Sequence, residues 1–295
     1  MTIVRFHISL QSPFFVMEKI ETIIQQALEE DIGSGDHSTL SCIPVDASGK
    51  AELLVKEPGI VAGMEIAAMI FRLFDAKMKF RPFFRDGSKI QPGNILFEAE
   101  GKVRSILQCE RLVLNFLQRM SGIATRTAHF VSLTEGTKAR ILDTRKTTPN
   151  FRAIEKMAVK IGGGENHRMG LYDMIMIKDN HVDFAGGISN ALDRVHEYLS
   201  GNGLDLKVEI EVRNMDELRE VIADGRINRI LLDNFPVEKL GEAVRLVNGC
   251  FETEASGGIN ENNIRHIAFT GVDFISVGTL THHVKSLDMS LKASF

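Results

Sequence analysis

The feature that most constrains the fold is a series of short apolar runs in the second half of the chain. They begin near residues 139, 172, 206, 229, 249 and 273, and they read ARILD, YDMIMI, LKVEIEV, RILLD, GCFETEA and DFISVG. Segments with helical spacing of apolar residues, such as NFRAIEKMAVKI and MDELREVIADG, lie between them. Continuous apolar strands that alternate with helices are typical of parallel β/α units. We therefore predict an α/β fold, in which the number of units favours an incomplete barrel over a doubly wound sheet.

The amino-terminal part of the chain has a different pattern. Residues 17–31 carry apolar side chains at helical spacing, and a strand-like stretch (AELLVKEPGIVAG) and an amphipathic helix (MEIAAMIFRLFDA) follow. Further strand-like pieces lie around FRPFF and NILFEAEGKV. Because strands and helices are mixed without a βα order, we predict a small α+β domain up to about residue 102. Residues 103–134 read as two long helices with a break at Ser121-Gly122.

Composition and charge exclude several classes of protein. The 295 residues carry a net charge of -4, which gives no electrostatic basis for binding nucleic acid or an anionic membrane. No apolar run approaches the roughly 20 residues of a membrane span. Residues 1–16 lack the long apolar region of a signal peptide, and the three scattered cysteines fit a reducing compartment. We predict a cytoplasmic protein whose residues 1–16 are a dispensable extension.

Polar side chains recur at the carboxyl ends of the apolar runs. Basic residues follow the first two runs and carboxylates belong to the next two: Arg145, Lys146, Lys178, Glu209, Glu211 and Asp233. In a β/α barrel these ends converge on one mouth, where such enzymes carry out their reactions. Every strand must end in something polar, but that requirement does not explain why the basic and acidic groups are segregated.

The basic residues predict a polyanionic substrate. The set comprises Arg145, Lys146, His167, Arg168 and Lys178, with Arg111 in the preceding helix. A single Arg or Lys near a strand end is usually a solvated charge, whereas this clustering occurs in a net-acidic protein. Arginine binds carboxylates and phosphates through two parallel hydrogen bonds, and lysine acts as a point charge.

The carboxylates Glu211 and Asp233 lie on adjacent predicted strands. They could hold Mg²⁺, orient ribose hydroxyls or stabilise a developing cation. The alternative is a surface ion pair with Arg213 or Arg229.

Glycine-rich turns follow the last two runs. Ser256, Gly257 and Gly258 lie in ASGGI, and Gly278 lies in SVGT. Loops after the final strands of a barrel frequently bind phosphate, so we predict a phosphate site here. The earlier GGGENHR does not match a P-loop, and its glycines are predicted to end the helix AIEKMAVKI. No Gly-X-Gly-X-X-Gly follows the first run, and the histidines lack His-Glu-X-X-His spacing, so neither a Rossmann domain nor a zinc site is predicted.

At this point the motifs can be matched to a family. Residues 142–181, LDTRKTTPNFRAIEKMAVKIGGGENHRMGLYDMIMIKDNH, resemble the signature of the quinolinate phosphoribosyltransferases, also called carboxylating nicotinate-nucleotide pyrophosphorylases. The resemblance continues through EDIGSGDHST, KEPGIVAG, ERLVLNFLQRMSGIAT, VEIEV, LLDNF, EASGGI and SVGTLTH, in unbroken order over roughly residues 17–292.

The resemblance implies a fold and a domain organisation. The family has an N-terminal α/β sandwich domain and an incomplete, seven-stranded α/β barrel, and its members are at least dimers. On this chain we expect an extension at 1–16, the sandwich domain with its long helices at 17–135 and the barrel at 136–295, with a segment near residue 290 packing back on the first domain.

It also implies a reaction and residue roles. Phosphoribose would pass from phosphoribosyl pyrophosphate (PRPP) to quinolinate, with loss of CO₂, to give nicotinate mononucleotide for NAD synthesis. The quinolinate ligands would be Arg145, His167 and Arg168, with Arg111 donated across a dimer interface. Lys146, Lys178, Glu211 and Asp233 would be catalytic, with Mg²⁺ near the two carboxylates. The residues expected to bind the phosphates of PRPP are Ser256, Gly257, Gly258, Gly278 and His282.

Three alternatives stay open from the sequence. A paralogous pyrophosphorylase of the same fold is associated with molybdenum transport. Lys178 could instead be the nucleophile of a Schiff-base aldolase, which would require a desolvated lysine with a lowered pKa. The third alternative is a protein that binds these anions without turnover.

Overall fold

The computed structural model describes residues 13–294, the first four of them by backbone only, and it forms two compact units. The first unit comprises Met1–Thr125, Thr148–Gly162 and Val284–Phe295, and the second comprises Arg126–Thr147 and Gly163–His283. Most of the predicted amino-terminal extension, residues 1–12, lies outside the described residues. No helix in the described part is long and apolar enough to cross a membrane.

The first unit mixes helices with an antiparallel sheet. Its helices are α1 (Pro13–Ile32), α2 (His37–Cys42), α3 (Met64–Phe74), α4 (Val103–Leu133, which continues into the second unit) and α5 (Arg152–Ile161). Its strands are β1 (Ser48–Val55), β2 (Gly59–Ile60), β3 (Lys79–Pro82), β4 (Lys89–Ile90), β5 (Ile95–Lys102) and β12 (Met289–Ser294).

The main sheet of this unit has the strand order β12-β1-β5-β3. Alternate residues Ala51, Leu53 and Val55 of β1 are buried, as expected for a strand with one face on the core. The last strand, β12, pairs antiparallel with β1, so that Leu53 lies opposite Leu291. The carboxyl terminus of the described chain thereby completes the first sheet.

The predicted break at Ser121-Gly122 is wrong, because α4 runs without interruption from Val103 to Leu133. The two small residues instead allow close packing. The backbone N–H of Ala62 donates to Ser121 Oγ at 3.0 Å, and a Cβ added at Gly122 would overlap the carbonyl oxygen of Lys285. A glycine inside a helix lowers its stability by about 1 kcal/mol relative to alanine. Glycine is nevertheless necessary here, because the neighbouring backbone leaves no room for a side chain.

The second unit contains a parallel sheet flanked in sequence by helices. Its strands are β6 (Arg140–Leu142), β7 (Ile175–Ile177), β8 (Val208–Val212), β9 (Arg229–Asp233), β10 (Glu252–Ser256) and β11 (Phe274–Ser276). Its own helices are α6 (Asp179–Ala185), α7 (Ile188–Asn202), α8 (Met215–Asp224), α9 (Val237–Val247), α10 (Ile264–Phe269) and α11 (Thr279–His282).

Each of the six predicted apolar runs forms one strand of this sheet, in the order β6-β11-β10-β9-β8-β7. All its neighbouring strands pair in parallel. The predicted α/β class and incomplete barrel are confirmed, since no strand pairing in the described residues closes the sheet. The family resemblance implies seven strands, whereas this sheet has six in the described residues. The chain makes one further isolated parallel bridge, between Leu142 and Glu165, which is too short to form a strand.

Candidate active site

The carboxyl edge of the parallel sheet gathers most of the predicted site residues, because all six strands run in the same direction. Basic residues lie beyond β6 and β7, and carboxylates lie on β8 and at the end of β9. In β9 and β10 the registered partners Asp233 and Ser256 end their strands side by side. Arg111 lies exposed on the portion of α4 that belongs to the first unit.

Two guanidinium groups form the first part of the site. Arg145 is exposed in the loop after β6, and Arg168 is half-buried in the loop before β7. Burial lowers the pKa of Arg168, and the nearby positive charge of Arg145 lowers it further. Among the described residues, no carboxylate lies within ion-pair distance of either one, although Arg168 Nη1 donates to the Met174 carbonyl at 3.3 Å. The negative charges of Glu209 and Asp173 act on the pKa of Arg168 in the opposite direction, but at longer range than an ion pair. The two guanidinium groups therefore stay available to an anion.

A second cationic corner lies around Gly278. A Cβ added there would lie 3.1 Å from His282 Nε2 and 3.2 Å from Lys146 Cδ, so both side chains lie over this glycine. Thr281 Oγ1 donates to the Lys146 carbonyl at 2.7 Å and ties the two loops together. Burial lowers the pKa of His282, and the positive charges of its neighbours, including Lys146, contribute. Because glycine has no Cβ, both basic side chains can approach this turn closely, which is an arrangement suited to phosphate. The three Arg and Lys residues of these two groups, Arg145, Lys146 and Arg168, share the carboxyl edge of the sheet, and we call them the cationic rim.

The carboxylates Glu211 and Asp233, which we call the acidic pair, lie at the same edge of the sheet. Lys178 Nζ lies 3.4 Å from Glu211 Oε2, and Asp233 accepts hydrogen bonds from Ser256 Oγ and Asn234 Nδ2, each at 2.6 Å. Burial raises the pKa of Glu211, which the charge of Lys178 opposes and that of Asp233 reinforces. Carboxylate oxygens at this edge fit Mg²⁺, which proteins commonly bind through one or two carboxylates together with substrate phosphates.

Two alternatives for these residues can be judged from the geometry. Arg213 pairs with Asp183 and Glu217, and Arg229 pairs with Glu252 and Glu254. The predicted alternative of an ion pair from either arginine to Glu211 or Asp233 is therefore wrong. The Lys178 side chain is 50% exposed and ion-paired with Glu211, whereas a Schiff-base nucleophile needs a desolvated amine.

The turn after β10 has a role that the sequence did not reveal. Gly257 has a φ of 89°, and a Cβ added there would overlap the side chain of Asn234. Asn234 has a φ of 54° itself and donates to Asp233. The predicted phosphate residues Ser256 and Gly257 thus also fix the carboxylate of Asp233, while Gly258, with a φ of 60°, leaves open space.

Below the edge lies a layer of charged side chains inside the unit. His167 Nε2 lies 3.1 Å from Glu209 Oε2 and 3.5 Å from Glu254 Oε2. Arg229 Nη1 donates to Glu254 at 2.9 Å, and Ser276 Oγ donates to the other oxygen of Glu254. Of these side chains, Glu209 and Glu254 are fully buried and Arg229 is 7% exposed. We call His167, Glu209, Arg229 and Glu254 the buried ion network.

Opposing effects act on the charges in this network. Burial disfavours the charged ring of His167, but Glu209 and Glu254 outweigh it and raise its pKa to about 9. Burial and the charge of Glu254 raise the pKa of Glu209. Burial also opposes ionisation of Glu254, yet His167, Ser276 and Arg229 together hold its pKa below the usual value.

Of this network only His167 was assigned a site role from the sequence. A signal for the others was present, because residues two apart on a strand share a face. Glu209 shares the face of Glu211 in VEIEV, and Arg229 shares that of Asp233 in RILLD. Charged residues at such spacing in otherwise apolar runs indicate a paired polar layer.

Comparison with known proteins agrees with this architecture. The family model of the quinolinate phosphoribosyl transferase C-terminal domain matches residues 123–292, and that of the N-terminal domain matches residues 36–121. Quinolinate phosphoribosyltransferase (decarboxylating) 1b of Nicotiana tabacum is 47% identical over 288 residues, covering 92% of this chain and 82% of the relative. The chloroplastic nicotinate-nucleotide pyrophosphorylase (carboxylating) of Arabidopsis thaliana is 46% identical over 288 residues, with the same two coverages of 92% and 82%.

A solved structure extends the similarity to three dimensions. The crystal structure of NadC from Streptococcus pyogenes superposes with a TM-score of 0.89 and 38% sequence identity, covering 96% of this chain and 99% of that one. Matches of sequence and structure thus extend over both units. The chain belongs to the quinolinate phosphoribosyl transferase family.

Proposed function

We propose that the cationic rim binds the two anionic substrates of a quinolinate phosphoribosyltransferase. The reaction transfers phosphoribose from PRPP to quinolinate and releases pyrophosphate and CO₂, giving nicotinate mononucleotide in NAD biosynthesis. One observation carries the residue assignment: Arg145, Lys146 and Arg168 are cations at the carboxyl edge of the sheet without a carboxylate partner in the described chain. Their charges are available to a diacid and a polyphosphate.

Quinolinate would bind at the two guanidinium groups. Arg145 and Arg168 are close enough for the charge of one to lower the pKa of the other, and a dicarboxylate relieves this repulsion. The ring nitrogen of quinolinate is then the nucleophile. Holding the diacid in one orientation beside bound PRPP makes the attack effectively intramolecular, which lowers the entropic part of the barrier.

PRPP would bind with its phosphates at the corner formed by Lys146, Gly278 and His282. As the bond from ribose C1 to pyrophosphate breaks, its electron pair leaves with pyrophosphate and positive charge develops on C1. The carboxylates of Glu211 and Asp233 stabilise that charge, and the ring-nitrogen lone pair then forms the new bond to C1. The cationic ring nitrogen accepts the electron pair released when the adjacent carboxylate departs as CO₂, and that carbon takes up a proton.

Glu211 and Asp233 would also hold Mg²⁺ near the pyrophosphate. Their oxygens are the hard ligands that this ion prefers, and Ser256 and Asn234 fix the orientation of Asp233. When bound, the ion neutralises charge on the leaving group. Lys178, which contacts Glu211, would interact electrostatically with both the acidic pair and the substrates.

Arg111 would serve the site of a second subunit in a homodimer or a larger assembly. It is exposed on α4 and belongs to the first unit, whereas the other proposed substrate ligands belong to the second. Inactive Arg111→Ala and Lys146→Ala chains are expected to regain partial activity when they are mixed and allowed to exchange subunits. No activity in a mixed assembly that is confirmed to be heteromeric would contradict a shared site.

A cytoplasmic location is part of the same proposal. It is supported by the free thiols of Cys42, Cys109 and Cys250, which match a reducing compartment. Fractionation of the source cells would test it, and recovery of the enzyme in an organelle would overturn it.

The direct test is an assay with PRPP, quinolinate and Mg²⁺, in which nicotinate mononucleotide and CO₂ are measured. We expect both products in equal amounts, and omission of Mg²⁺ should slow the reaction. Turnover of another acid without turnover of quinolinate would favour the molybdenum-associated paralogue. Binding of both substrates without any product would favour a non-enzymatic anion-binding protein.

A further inference from the structure

Both ring nitrogens of His167 are engaged within the second unit. The backbone N–H of Arg168 donates to His167 Nδ1 at 2.6 Å, while Nε2 faces Glu209 and Glu254 at 3.1 and 3.5 Å. Because Nδ1 accepts a hydrogen bond, the ring in this arrangement is neutral and its proton is on Nε2. In the charged ring Nε2 is protonated as well, but Nδ1 then carries a proton and loses the hydrogen bond from the Arg168 N–H. In either state Nε2 presents a proton to the two carboxylates.

The same ring is linked to the peptide that carries Arg168. The N–H of His167 donates to Asp143 Oδ1 at 2.8 Å, and the N–H of Arg168 donates to the ring itself. The two peptide groups on either side of His167 are therefore each held by one hydrogen bond, and a rotation of the imidazole would release the one that leads into Arg168. The guanidinium of Arg168 contacts the protein through the Met174 carbonyl at 3.3 Å, which is a weak restraint for a long side chain.

Glu254 is the fixed point of the network. Arg229 on β9 and Ser276 on β11 bind its two oxygens, and Glu254 itself is on β10 between them. Three neighbouring strands thereby set the position of the carboxylate against which the imidazole rests. The contacts of His167 Nε2 with Glu209 and with Glu254 are both ion-pair contacts without hydrogen-bond geometry. Glu209 differs from Glu254 in that neither of its oxygens makes a hydrogen bond of normal geometry.

The spacing of these groups also resembles a metal site, since donor atoms of His167, Glu209 and Glu254 lie within 4.8 Å of one another. Two features argue against that use. The Nε2 position carries a proton in place of a free lone pair, and Glu254 already binds the guanidinium of Arg229 at 2.9 Å. The positive charge that a metal would bring is supplied by side chains of the chain itself.

We infer that Glu209 and Glu254 are positioning residues for quinolinate, acting through the imidazole of His167 on the peptide and guanidinium of Arg168. Neither carboxylate touches substrate. Together they fix the ring, the ring fixes the Arg168 amide, and the amide sets the direction from which the guanidinium meets a carboxylate. The inference rests on the proposed role of Arg168 as a quinolinate ligand.

The test compares three substitutions that differ by the same single atom. Glu209→Gln and Glu254→Gln alter contacts of His167. Glu252→Gln is the control: Glu252 also pairs with Arg229, but it is half-exposed and does not contact the ring. We expect the first two to raise KM for quinolinate by about tenfold, the scale typical of residues that orient a binding side chain. Their KM for PRPP should stay within about twofold, and Glu252→Gln should change neither constant beyond that range.

A double-mutant cycle tests the route of the effect. If Glu209 acts through His167, the double variant Glu209→Gln/His167→Gln should bind quinolinate no more weakly than His167→Gln alone, as measured by calorimetry without PRPP. Fully additive losses would show that the two residues act independently and would overturn the inference.

Folding is checked by thermal unfolding of each variant. If Glu254→Gln does not fold, Glu209→Gln carries the comparison, because it removes no hydrogen bond of normal geometry. Equal losses for both substrates, or failure of both variants to fold, would mean that the pair is structural and would refute the proposal. Wild-type protein without quinolinate turnover would instead refute the proposed function, whatever the variants do.

Discussion

The cationic rim and the buried ion network contain similar residue types in opposite states of pairing. In the network, Arg229 contacts the carboxylates of Glu254 and Glu252 at 2.9 and 3.0 Å, and His167 lies against Glu254 as well as Glu209. In the rim, Arg145, Lys146 and Arg168 have no carboxylate within ion-pair distance in the described chain. The loops around the rim are tied by hydrogen bonds to neutral groups, such as those from Thr281 Oγ1 to the Lys146 carbonyl and from Arg168 Nη1 to the Met174 carbonyl.

This difference separates charges that are neutralised within the protein from charges that we propose to bind the substrates. A buried cation must be paired, because an isolated charge in the interior is too costly. An exposed cation tolerates the lack of a partner, since water solvates it until an anion arrives. Substitutions in the network should therefore affect stability first, and substitutions in the rim should affect substrate binding first.

The largest expected effect is that of Arg229→Met in the network. The substitution keeps most of the side-chain volume but leaves Glu254 buried without its guanidinium, which should lower the free energy of unfolding by about 3–5 kcal/mol. Urea unfolding followed by circular dichroism measures this change. Lys239→Met is the control, because Lys239 forms an exposed pair with Glu242 and should change stability by less than about 1 kcal/mol. Similar values for the two variants would remove the distinction between network and surface.

The next effect is that of Arg145→Ala in the rim. We expect kcat/KM for quinolinate to fall by about 10²-fold, since a charge-assisted contact to a carboxylate is lost, while the free energy of unfolding changes by less than about 0.5 kcal/mol. KM for PRPP should change far less than KM for quinolinate.

Arg140→Ala provides the matched control for the rim. Arg140 is an exposed arginine at the amino end of β6, paired with Glu165, and its removal should leave both KM values unchanged. If Arg145→Ala impaired both substrates equally, the assignment of Arg145 to quinolinate would be wrong.

The smallest expected effect is the pH dependence of the stability that the buried ion network contributes. The pKa of His167 is raised to about 9 from an ordinary value near 6.5, so its charge contributes stability that is complete below about pH 6.5 and is lost as pH rises through about 9. The Arg168 N–H, which donates to Nδ1, opposes protonation there and reduces the size of the effect. The free energy of unfolding should therefore decrease more between about pH 6.5 and pH 9.5 in wild-type protein than in His167→Gln. An equal decrease in both would show that the ring stays neutral in the fold.

Much of the fold could be predicted from the sequence. The six strands of the parallel sheet coincide with the six apolar runs, because a strand buried on both faces carries mostly apolar side chains. The break predicted at Ser121-Gly122 was wrong for an identifiable reason. Glycine is the signature of a helix end and equally of close helix packing, and only the carbonyl of Lys285 beside Gly122 distinguishes the two.

The candidate site could be predicted in part. Most of its basic and acidic residues follow from their place after each strand, since parallel strands bring their carboxyl ends together. The partners of these charges could not be predicted. Arg213 and Arg229 were equally plausible partners of the acidic pair in the sequence, but both bind other carboxylates. The contact of Asn234 with Asp233, made by a residue with positive φ, has no sequence signal of its own.

The sequence by itself determined the family, the order of the strands along the chain and the residues that meet at the carboxyl edge, because these depend on periodicity and on motifs that are local in the chain. Only the tertiary structure decided which charges are neutralised. Glu254 obtains its partners from β9 and β11, and Glu209 meets a histidine more than 40 residues away, so burial and pairing there depend on how the strands lie side by side. Electrostatic roles follow from distances between atoms, and those distances are set only when the sheet forms.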